Sequence, residues 1–193
     1  MVSLKKWANQ YRMKKAKYIL HRREEYQIEP SLHTRIHDLL KRCFSEYPAG
    51  RSYYQQVPTF RHLVYDQQRL VGHLAIEYRM INLAGAIVPI FGISDFCVDP
   101  DYQSQHIATD LLERVEAEAR DRHIDFIILA TTEQSFYEKR GYQHSDNPCR
   151  WLLLTRQQTL GVAQRRIERG IMVKATGNQP WMEGLLDFLG PMF

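Results

Sequence analysis

Residues 95–112 read DFCVDPDYQSQHIATDLL, and this stretch decides the fold of the chain. An apolar strand runs into a turn at Asp99 and Pro100, a polar loop follows, and an amphipathic helix begins near Gln105. The start of a helix presents backbone N–H groups that lack helical partners, together with the positive end of the helix dipole. The sequence therefore predicts a site for a phosphate or pyrophosphate group at this junction.

Hydrophobic periodicity on both sides of this junction predicts a fold that contains both helices and strands, of the α/β (α+β) class. Three strands with short links precede the loop, which favours an antiparallel meander with a bulge at Gly92. An earlier helix takes Ser31 as its N-cap, and the apolar strand after the loop helix is expected to run parallel to the strand before it. The predicted strands are 18–23, 60–65, 70–82, 87–98, 125–130, 150–155 and 171–174; the predicted helices are 3–17, 30–43, 105–122, 135–141 and 157–169, and an irregular tail follows.

Residues 103–108, QSQHIA, and residues 136–142, FYEKRGY, form two short motifs that resemble those of the GNAT N-acyltransferase superfamily. Gln103 and Ala108 match the ends of its Gln/Arg-x-x-Gly-x-Gly/Ala loop, whereas His106 stands where the superfamily has glycine. Residues 136–142, FYEKRGY, are similar to the FYEKLGF box that follows the family's fifth strand. The order of elements over residues 17–175 is also similar. The resemblance implies the GNAT fold, in which a mixed sheet combines an antiparallel N-terminal meander with a parallel strand pair around the CoA site, flanked by helices.

The resemblance also implies an acyl-CoA-dependent N-acetyltransferase, in which an amine attacks acetyl-CoA directly through a tetrahedral intermediate. The backbone before the loop would pair with pantetheine and polarise the thioester, and the loop N–H groups would bind the pyrophosphate. Tyr137 would protonate the leaving thiolate. The donor-binding residues expected on this basis are Phe96, Cys97, Val98, Gln103, Ser104, Gln105, His106, Ile107, Ala108 and Thr109.

The general base is expected to be a carboxylate, because a protonated substrate amine with a pKa near ~10 must first lose a proton. Asp95 is the only acid on the strand before the loop, which makes it the candidate base. Glu77 on the neighbouring strand and Glu133 just before Tyr137 are candidate substrate contacts. A chain of water molecules that removes the proton is the alternative to a carboxylate base. The sequence is compatible with either face of the strand meeting the substrate.

Within the superfamily, residues 72–98 resemble the aminoglycoside 2′-N-acetyltransferases. In those enzymes the C-terminal carboxylate helps to form the substrate site, so Phe193 is a further candidate substrate contact. Ser94, however, stands where those enzymes have a glutamate, and a polycationic substrate favours a pocket rich in carboxylates. The pattern of the C-terminal tail also resembles that of uncharacterised bacterial GNAT proteins. The expected acceptor is therefore a small-molecule amine, and an aminoglycoside is one alternative.

Composition places the chain among single-domain proteins. Its 193 residues are 44% hydrophobic and 25% charged, which predicts one domain over 1–193 with a basic extension at 1–16 and a tail at 176–193. No apolar run approaches the ~18–20 residues of a membrane span. Three widely spaced cysteines without a metal pattern favour reduced thiols and a cytoplasmic location. The sequence is compatible with a homodimer.

Three other functions compete with catalysis. A non-catalytic, acyl-CoA-binding regulatory protein could use the same fold. Residues 1–42 carry eleven Lys or Arg against four Asp or Glu, but no RNA-binding motif accompanies this charge, so nucleic acid is not the expected partner. His33 and His37 lie at i, i+4 of a helix, yet no metal-binding signature surrounds them, and no metal is expected.

Overall fold

The computed structural model of this protein describes residues 10–12, 17–168 and 170–193. The chain divides into two compact units. Unit 1 comprises the residues up to Ala75 together with Asp95–Glu113, and unit 2 comprises Ile76–Ser94 together with Arg114–Phe193.

Unit 1 is built on the antiparallel meander that the sequence predicts. The strands of the meander are β1 (Gln10–Arg12), β2 (Tyr18–Glu24), β3 (Phe60–Asp66), β4 (Arg69–Leu83) and β5 (Ala86–Val98), and they follow this order in the sheet. Strands β4 and β5 each have residues in both units. Strands β1, β2 and β3 pair in antiparallel fashion. Two-residue links join β3 to β4 and β4 to β5, which is a connection that antiparallel strands allow and parallel strands do not.

Two helices contact opposite faces of this meander. Helix α1 (Pro30–Cys43) buries Ile36, Leu39 and Leu40 in an apolar cluster that also contains Leu63 of β3. Helix α2 (Ile107–Asp121) approaches the next residue of β3 instead. A Cβ atom on Gly72 would lie 3.1 Å from both Ile107 Cγ2 and Val64 Cβ. Since successive residues of a strand point to opposite faces, Leu63 faces α1 and Val64 faces α2.

The start of α1 differs by two residues from the predicted cap. The N-cap is Glu29 rather than Ser31, and Pro30 occupies the first helical turn. Proline suits that position because its fixed φ matches the helix and its missing N–H would have no helical partner there.

Unit 2 contains the parallel strand pair. Ile90–Ile93 of β5 pair in parallel with β6 (Phe126–Ala130), as predicted. Strand β10 (Ile171–Ala175) lies antiparallel to β6, and β7 (Gln143–His144) lies beyond it. The short helix α3 (Gln134–Glu138) separates β6 from β7. Strands β8 (Pro148–Thr155), β9 (Gln158–Arg166) and β11 (Leu186–Pro191) pair with one another in the order β9-β8-β11, and β11 also pairs with β4.

Two predictions for this part of the chain are wrong. The expected helix at 157–169 is a strand over Gln158–Arg166, because Arg156 and Gln157 both take positive φ values, of 47° and 61°. Two such residues form the tight turn that fits a β-hairpin. The expected irregular tail contains β11, whose Leu186 and Phe188 are fully buried.

The N-terminal prediction is largely untestable in the described residues. Residues 3–9 and 13–16 of the predicted helix at 3–17 lie outside them. Gln10–Arg12 are a strand paired with β2, not a helix, and here the prediction is wrong. Pairing with a neighbouring strand overrides local helix propensity at these positions.

The predicted bulge at Gly92 does not occur in the pairing of β5 with β6. The register with β6 runs without interruption from Ile90 through Gly92 to Ile93. A Cβ atom at Gly92 would overlap the ring of Phe193, so the glycine makes room for that side chain. The ring of Phe193 in turn meets Phe188 edge-on at a centroid distance of 5.5 Å.

This contact predicts a strong coupling between Gly92→Ala and Phe193→Ala. Alone, Gly92→Ala should lower the free energy of unfolding by about 1–3 kcal/mol, because the new methyl group displaces the ring. In a Phe193→Ala background the same change should be neutral or slightly stabilising, since alanine suits a strand better than glycine. Chemical denaturation of the four proteins of the double-mutant cycle measures the coupling. Additive effects would show that the ring does not lie over Gly92.

Candidate functional site

The loop after β5 is anchored by one buried carboxylate. Asp99 is 1% exposed and accepts hydrogen bonds from Arg42 at 2.9 Å, from Arg69 at 3.0 Å and from the Asp101 backbone N–H at 3.2 Å. Burial acts to raise the pKa of Asp99, but these donors outweigh it and lower the pKa below its ordinary value. The loop therefore starts from a fixed, ionised point.

The loop itself bends through two left-handed residues before α2 begins. Ser104 has φ +59° and His106 has φ +68°. His106 thus adopts the backbone conformation that explains a glycine in the family motif, at a cost of roughly 1–2 kcal/mol for a residue with a side chain. The first helical hydrogen bond runs from the Asp110 N–H to the His106 carbonyl at 3.0 Å. The N–H groups before Asp110 therefore take no part in the i→i−4 hydrogen bonds of the helix, which is the arrangement that an anion site uses.

The strand before the loop contacts the end of α1. The Cys43 thiol donates to the Val98 carbonyl at 3.5 Å, and its hydrogen bond with Cys97 is the main influence that lowers the Cys43 pKa. The same hydrogen bond, with burial, raises the pKa of Cys97. Both thiols are free. These contacts fix the segment that the sequence assigns to pantetheine.

Asp95 combines an unusual backbone conformation with an unusual pKa. Its φ is +49°, in the left-handed region. Burial raises the pKa of its carboxyl to about 6, and Tyr47 and Arg61 partly offset that rise. The buried Tyr47 hydroxyl lies next to this carboxyl without meeting strict hydrogen-bond geometry, and burial together with the Asp95 charge raises the pKa of Tyr47. A carboxyl group with a pKa near 6 is suited to accept a proton at neutral pH.

A buried Arg–His pair holds the backbone of Asp95. The Arg61 guanidinium donates to Glu25 at 2.6 and 2.8 Å, to the Ser52 carbonyl at 2.6 Å and to His73 Nε2 at 3.0 Å. Burial and the Arg61 charge lower the pKa of His73 to about 3, so its ring is neutral. With Nε2 accepting from Arg61, the proton is on Nδ1, which donates to the Asp95 carbonyl at 2.6 Å.

In unit 2, Tyr137 lies on α3 and is 6% exposed. Burial raises the pKa of its hydroxyl; Arg140 partly offsets this rise, whereas Glu133 adds to it. The hydroxyl therefore keeps its proton at neutral pH, as a proton donor must. The ring packs edge-on against Tyr142 at 5.5 Å, and the left-handed Gly141 closes the turn between them.

Also in unit 2, Glu77 and Phe193 are linked through Arg79. The Glu77 carboxylate lies 3.4 Å from Arg79 Nη1, and the Arg79 guanidinium lies 4.5 Å from the centre of the Phe193 ring. Burial lowers the pKa of Arg79, with Glu77 acting in the opposite direction. Glu77 therefore has its charge balanced within the protein, whereas Glu133 is exposed at the start of α3.

A family model described as "Acetyltransferase (GNAT) domain" matches residues 27–145. The chain belongs to this GNAT acetyltransferase family. The match includes α1, strands β3 to β5, the loop before α2 and α3, and so contains both motifs on which the resemblance depends.

Solved structures of GNAT proteins share the fold. The Escherichia coli GNAT family N-acetyltransferase YhbS in complex with CoA is 16% identical, with 89% of each chain covered and a TM-score of 0.61. A GNAT acetyltransferase from Brucella melitensis in complex with acetyl-CoA is 15% identical, covering 86% of this chain and 94% of that one, with a TM-score of 0.55.

Some structural relatives are much longer. A probable N-acyltransferase from Enterococcus faecalis is 16% identical with a TM-score of 0.53, and the match covers 64% of this chain but 32% of that protein. The chain thus spans about a third of the length of that relative. No curated protein matches the chain.

The predicted site residues of this GNAT chain fall into two groups. Unit 1 contains Asp95, the strand residues that follow it and the loop before α2. Unit 2 links Glu77 to Phe193 through Arg79 and sets Glu133 beside α3, which carries Tyr137. Unit 1 contains Asp95, Phe96, Cys97, Val98, Gln103, Ser104, Gln105, His106, Ile107, Ala108 and Thr109; unit 2 contains Glu77, Glu133, Tyr137 and Phe193.

Sequence reasoning missed the residues that support Asp95. Tyr47, Arg61 and His73 come from a loop and two different strands, so no local spacing connects them. The available signal was the presence of Arg61 and His73 within otherwise apolar strands, because a buried polar residue needs partners.

The GNAT chain shows neither a metal cluster nor a membrane helix in the parts that the structure describes. No group of three or more His, Cys, Asp or Glu could hold a metal ion among residues 10–12, 17–168 and 170–193. Within the same residues, no helix is long and apolar enough to cross a bilayer.

The raised pKa of Asp95 predicts how stability depends on pH. Between the ordinary aspartate pKa of about 3.9 and the folded value of about 6, the folded state binds more protons than the unfolded state, so stability falls as pH rises. Above pH 6 the penalty reaches about 3 kcal/mol. Asp95→Asn should therefore gain about 3 kcal/mol relative to the wild type between pH 4 and pH 7.5, measured by urea denaturation.

The exposed Asp38 provides the matched control for this experiment. Asp38→Asn makes the same substitution at an exposed position of α1 and controls for the loss of one negative charge. A pH-independent difference between the wild type and Asp95→Asn would contradict the raised pKa of Asp95.

Proposed function

We propose that this protein is an acyl-CoA-dependent N-acetyltransferase that transfers the acetyl group of acetyl-CoA to a primary amine of a small molecule. The observation that carries the proposal is the loop before α2, whose left-handed Ser104 and His106 direct it into a helix N-terminus. Such a loop offers backbone N–H groups and a helix dipole to a pyrophosphate. Membership of the GNAT family supports acetyl-CoA as the donor.

Donor binding is proposed to depend mainly on the backbone. The N–H groups of residues 104–109 would hold the pyrophosphate, and the backbone of residues 96–98 would pair with pantetheine. The side chain of His106 is exposed, so it can lie away from the bound phosphates while its backbone takes the required conformation. Gln103 and Gln105 flank the bend, and the Gln105 side chain accepts a hydrogen bond from Tyr18, which holds the loop on this face of the sheet.

The proposed chemistry uses one proton acceptor and one proton donor. The Asp95 carboxylate takes a proton from the substrate ammonium, and the free amine then attacks the thioester carbonyl directly. As the tetrahedral intermediate collapses, the new C–N bond is kept, the C–S bond breaks, and Tyr137 supplies a proton to the leaving thiolate. The pKa of about 6 at Asp95 supports the first role, and the raised pKa of Tyr137 supports the second.

Arg61 and His73 are proposed as positioning residues for Asp95. The neutral His73 holds the Asp95 carbonyl at 2.6 Å and is itself held by Arg61 at 3.0 Å. These hydrogen bonds hold Asp95 in its left-handed backbone conformation. That conformation costs of order 1–3 kcal/mol, which the surrounding hydrogen bonds offset. Neither side chain is expected to exchange protons with the substrate.

The acceptor is proposed to contact Glu77, Glu133 and Phe193. Arg79 balances the charge of Glu77, which leaves little net negative charge there for a polycation such as an aminoglycoside. A small amine with one or two charges is the better fit. Cytoplasmic location, a single functional domain and a homodimer remain predictions from the sequence.

The alternative is a regulatory protein that binds acyl-CoA without turnover, and His106 in place of glycine is the feature that favours it. Calorimetric titration with acetyl-CoA and free CoA tests donor binding directly. We expect micromolar binding by the wild type, and binding at least as tight by His106→Gly, because glycine removes the left-handed strain. The absence of binding by both proteins would contradict the proposed donor site.

Catalysis is tested with an amine panel and two conservative variants. Tyr137→Phe should lower kcat by about 10²-fold or more, because a positioned proton donor contributes about 10²–10⁴-fold. In the wild type, kcat/KM should rise with pH through a step near 6, and Asp95→Asn should abolish this step. Retention of both the rate and the pH step in the two variants would assign the chemistry to other groups.

His73→Gln separates positioning from proton transfer. It should lower kcat while leaving a pH step in kcat/KM, because Asp95 is still present to titrate. Binding without turnover of any amine, by every variant and by the wild type, would support the regulatory alternative.

A further inference from the structure

Unit 1 contains a cavity of about 560 Å³ on the face of the sheet that α1 covers. His21 and Arg23 of β2 and Arg35 of α1 line it. Leu32 and Tyr65 supply apolar wall, which gives the cavity a basic end and a less polar side. Volumes of this order accommodate small-molecule ligands.

Among the residues that the structure describes, no carboxylate forms an ion pair with the arginines of this cavity. None of the cavity-lining residues is acidic, and within the described residues neither Arg23 nor Arg35 forms an ion pair. Other arginines of the same unit behave differently: Arg42 and Arg69 pair with Asp99, and Arg61 pairs with Glu25. Two guanidinium groups that face one cavity without compensation create a positive potential in it.

Hydrogen bonds hold the first two basic groups in place. Arg23 Nη2 lies 3.2 Å from His21 Nδ1, and Arg23 Nη1 donates to the Arg22 carbonyl at 3.3 Å. Because arginine can only donate, His21 accepts at Nδ1 and carries its proton on Nε2. Burial and the Arg23 charge both lower the pKa of His21, which agrees with this neutral form.

Arg35 is oriented by two different contacts. It donates to the Gln68 carbonyl in the turn between β3 and β4, and its guanidinium lies 5.3 Å from the centre of the Tyr65 ring. The Tyr65 ring also meets His21 edge-on at a centroid distance of 5.3 Å. One donor of Arg35 is thus used by the protein, and the remaining donors of its five N–H groups can serve a ligand.

The cavity is separate from the loop before α2. Residues of a strand alternate between faces, so His21 and Arg23 of β2 point to one face and Tyr18 points to the other. The Tyr18 hydroxyl hydrogen-bonds to Gln105 of that loop, whereas His21 contacts Tyr65 on the α1 side. The sheet itself therefore lies between the two sites.

We propose that this cavity is a second binding site, for the phosphate group of a small phosphate monoester. Two guanidinium groups and an imidazole N–H present the donor-only surface that a phosphate dianion requires. The rest of the ligand would lie against Leu32 and the Tyr65 ring. This site is independent of the acetyl-CoA site proposed above, and nothing in its recognition needs CoA.

Isothermal titration with inorganic phosphate and with phenyl phosphate tests the site in the full chain. Arg23→Gln and Arg35→Gln should each weaken phosphate binding by about tenfold, since a charge-assisted hydrogen bond contributes about 1.5–3 kcal/mol. Arg22→Gln is the matched control, because it removes the same charge from the residue directly before Arg23. The Arg22 side chain lies on the opposite face of β2 and pairs with Glu24. It should change the affinity by less than about twofold.

The ring signals of His21, followed by NMR at constant pH, locate the bound anion. They should shift on phosphate addition in the wild type and in Arg22→Gln, and phenyl phosphate should bind more tightly than phosphate. Unchanged His21 signals, equal weakening in Arg22→Gln, or no binding at about 10 mM phosphate would overturn the proposal. Arg35 is exposed, so Arg35→Gln carries the test if Arg23→Gln fails to fold. Acetyl-CoA binding, measured separately, keeps a failure of this site distinct from a failure of the proposed enzyme function.

Discussion

The guanidinium of Arg61 is the constraint on which unit 1 depends. A buried charge is very unfavourable unless it is paired and fully hydrogen-bonded. Arg61 is completely buried and meets that requirement through Glu25, the Ser52 carbonyl and His73. These partners come from the end of β2, the loop before β3 and strand β4. Satisfying one side chain therefore fixes three segments relative to one another.

The consequences of this pairing extend to the candidate base. The positive charge of Arg61, together with burial, keeps His73 neutral and defines which ring nitrogen carries the proton. That proton holds the carbonyl of Asp95, where β5 turns left-handed. Loss of Arg61 would leave Glu25 without its partner and would release the restraint on Asp95. Stability and the geometry of the proposed chemistry are thus connected through the same hydrogen bonds.

Local patterns in the sequence were sufficient for the features that depend on local physics. The loop before α2, the parallel partner of β5 and the helix with Tyr137 follow from periodicity, turn residues and two motifs. Strand β9 did not follow, because the turn that pairs it with β8 places Arg156 and Gln157, rather than glycine or asparagine, at positive φ. Strand β11 did not follow either, because its partners β4 and β8 are distant in the chain. The same holds for Tyr47, Arg61 and His73, whose meeting around Asp95 is a property of the folded meander. A single polar residue in an apolar strand indicates that it has buried hydrogen-bond partners, but the sequence does not show which residues they are.

The two phosphate sites proposed on opposite sides of the meander differ in how they would bind an anion. At the loop before α2 the nearby arginines are already paired with carboxylates, since Arg42 pairs with Asp99 and Arg69 pairs with both Asp99 and Asp101. Binding there would depend on backbone N–H groups and the helix dipole. In the α1-side cavity, Arg23 and Arg35 keep their charges uncompensated within the described residues. Salt screens exposed formal charges strongly, so ionic strength should weaken the cavity site far more than the loop.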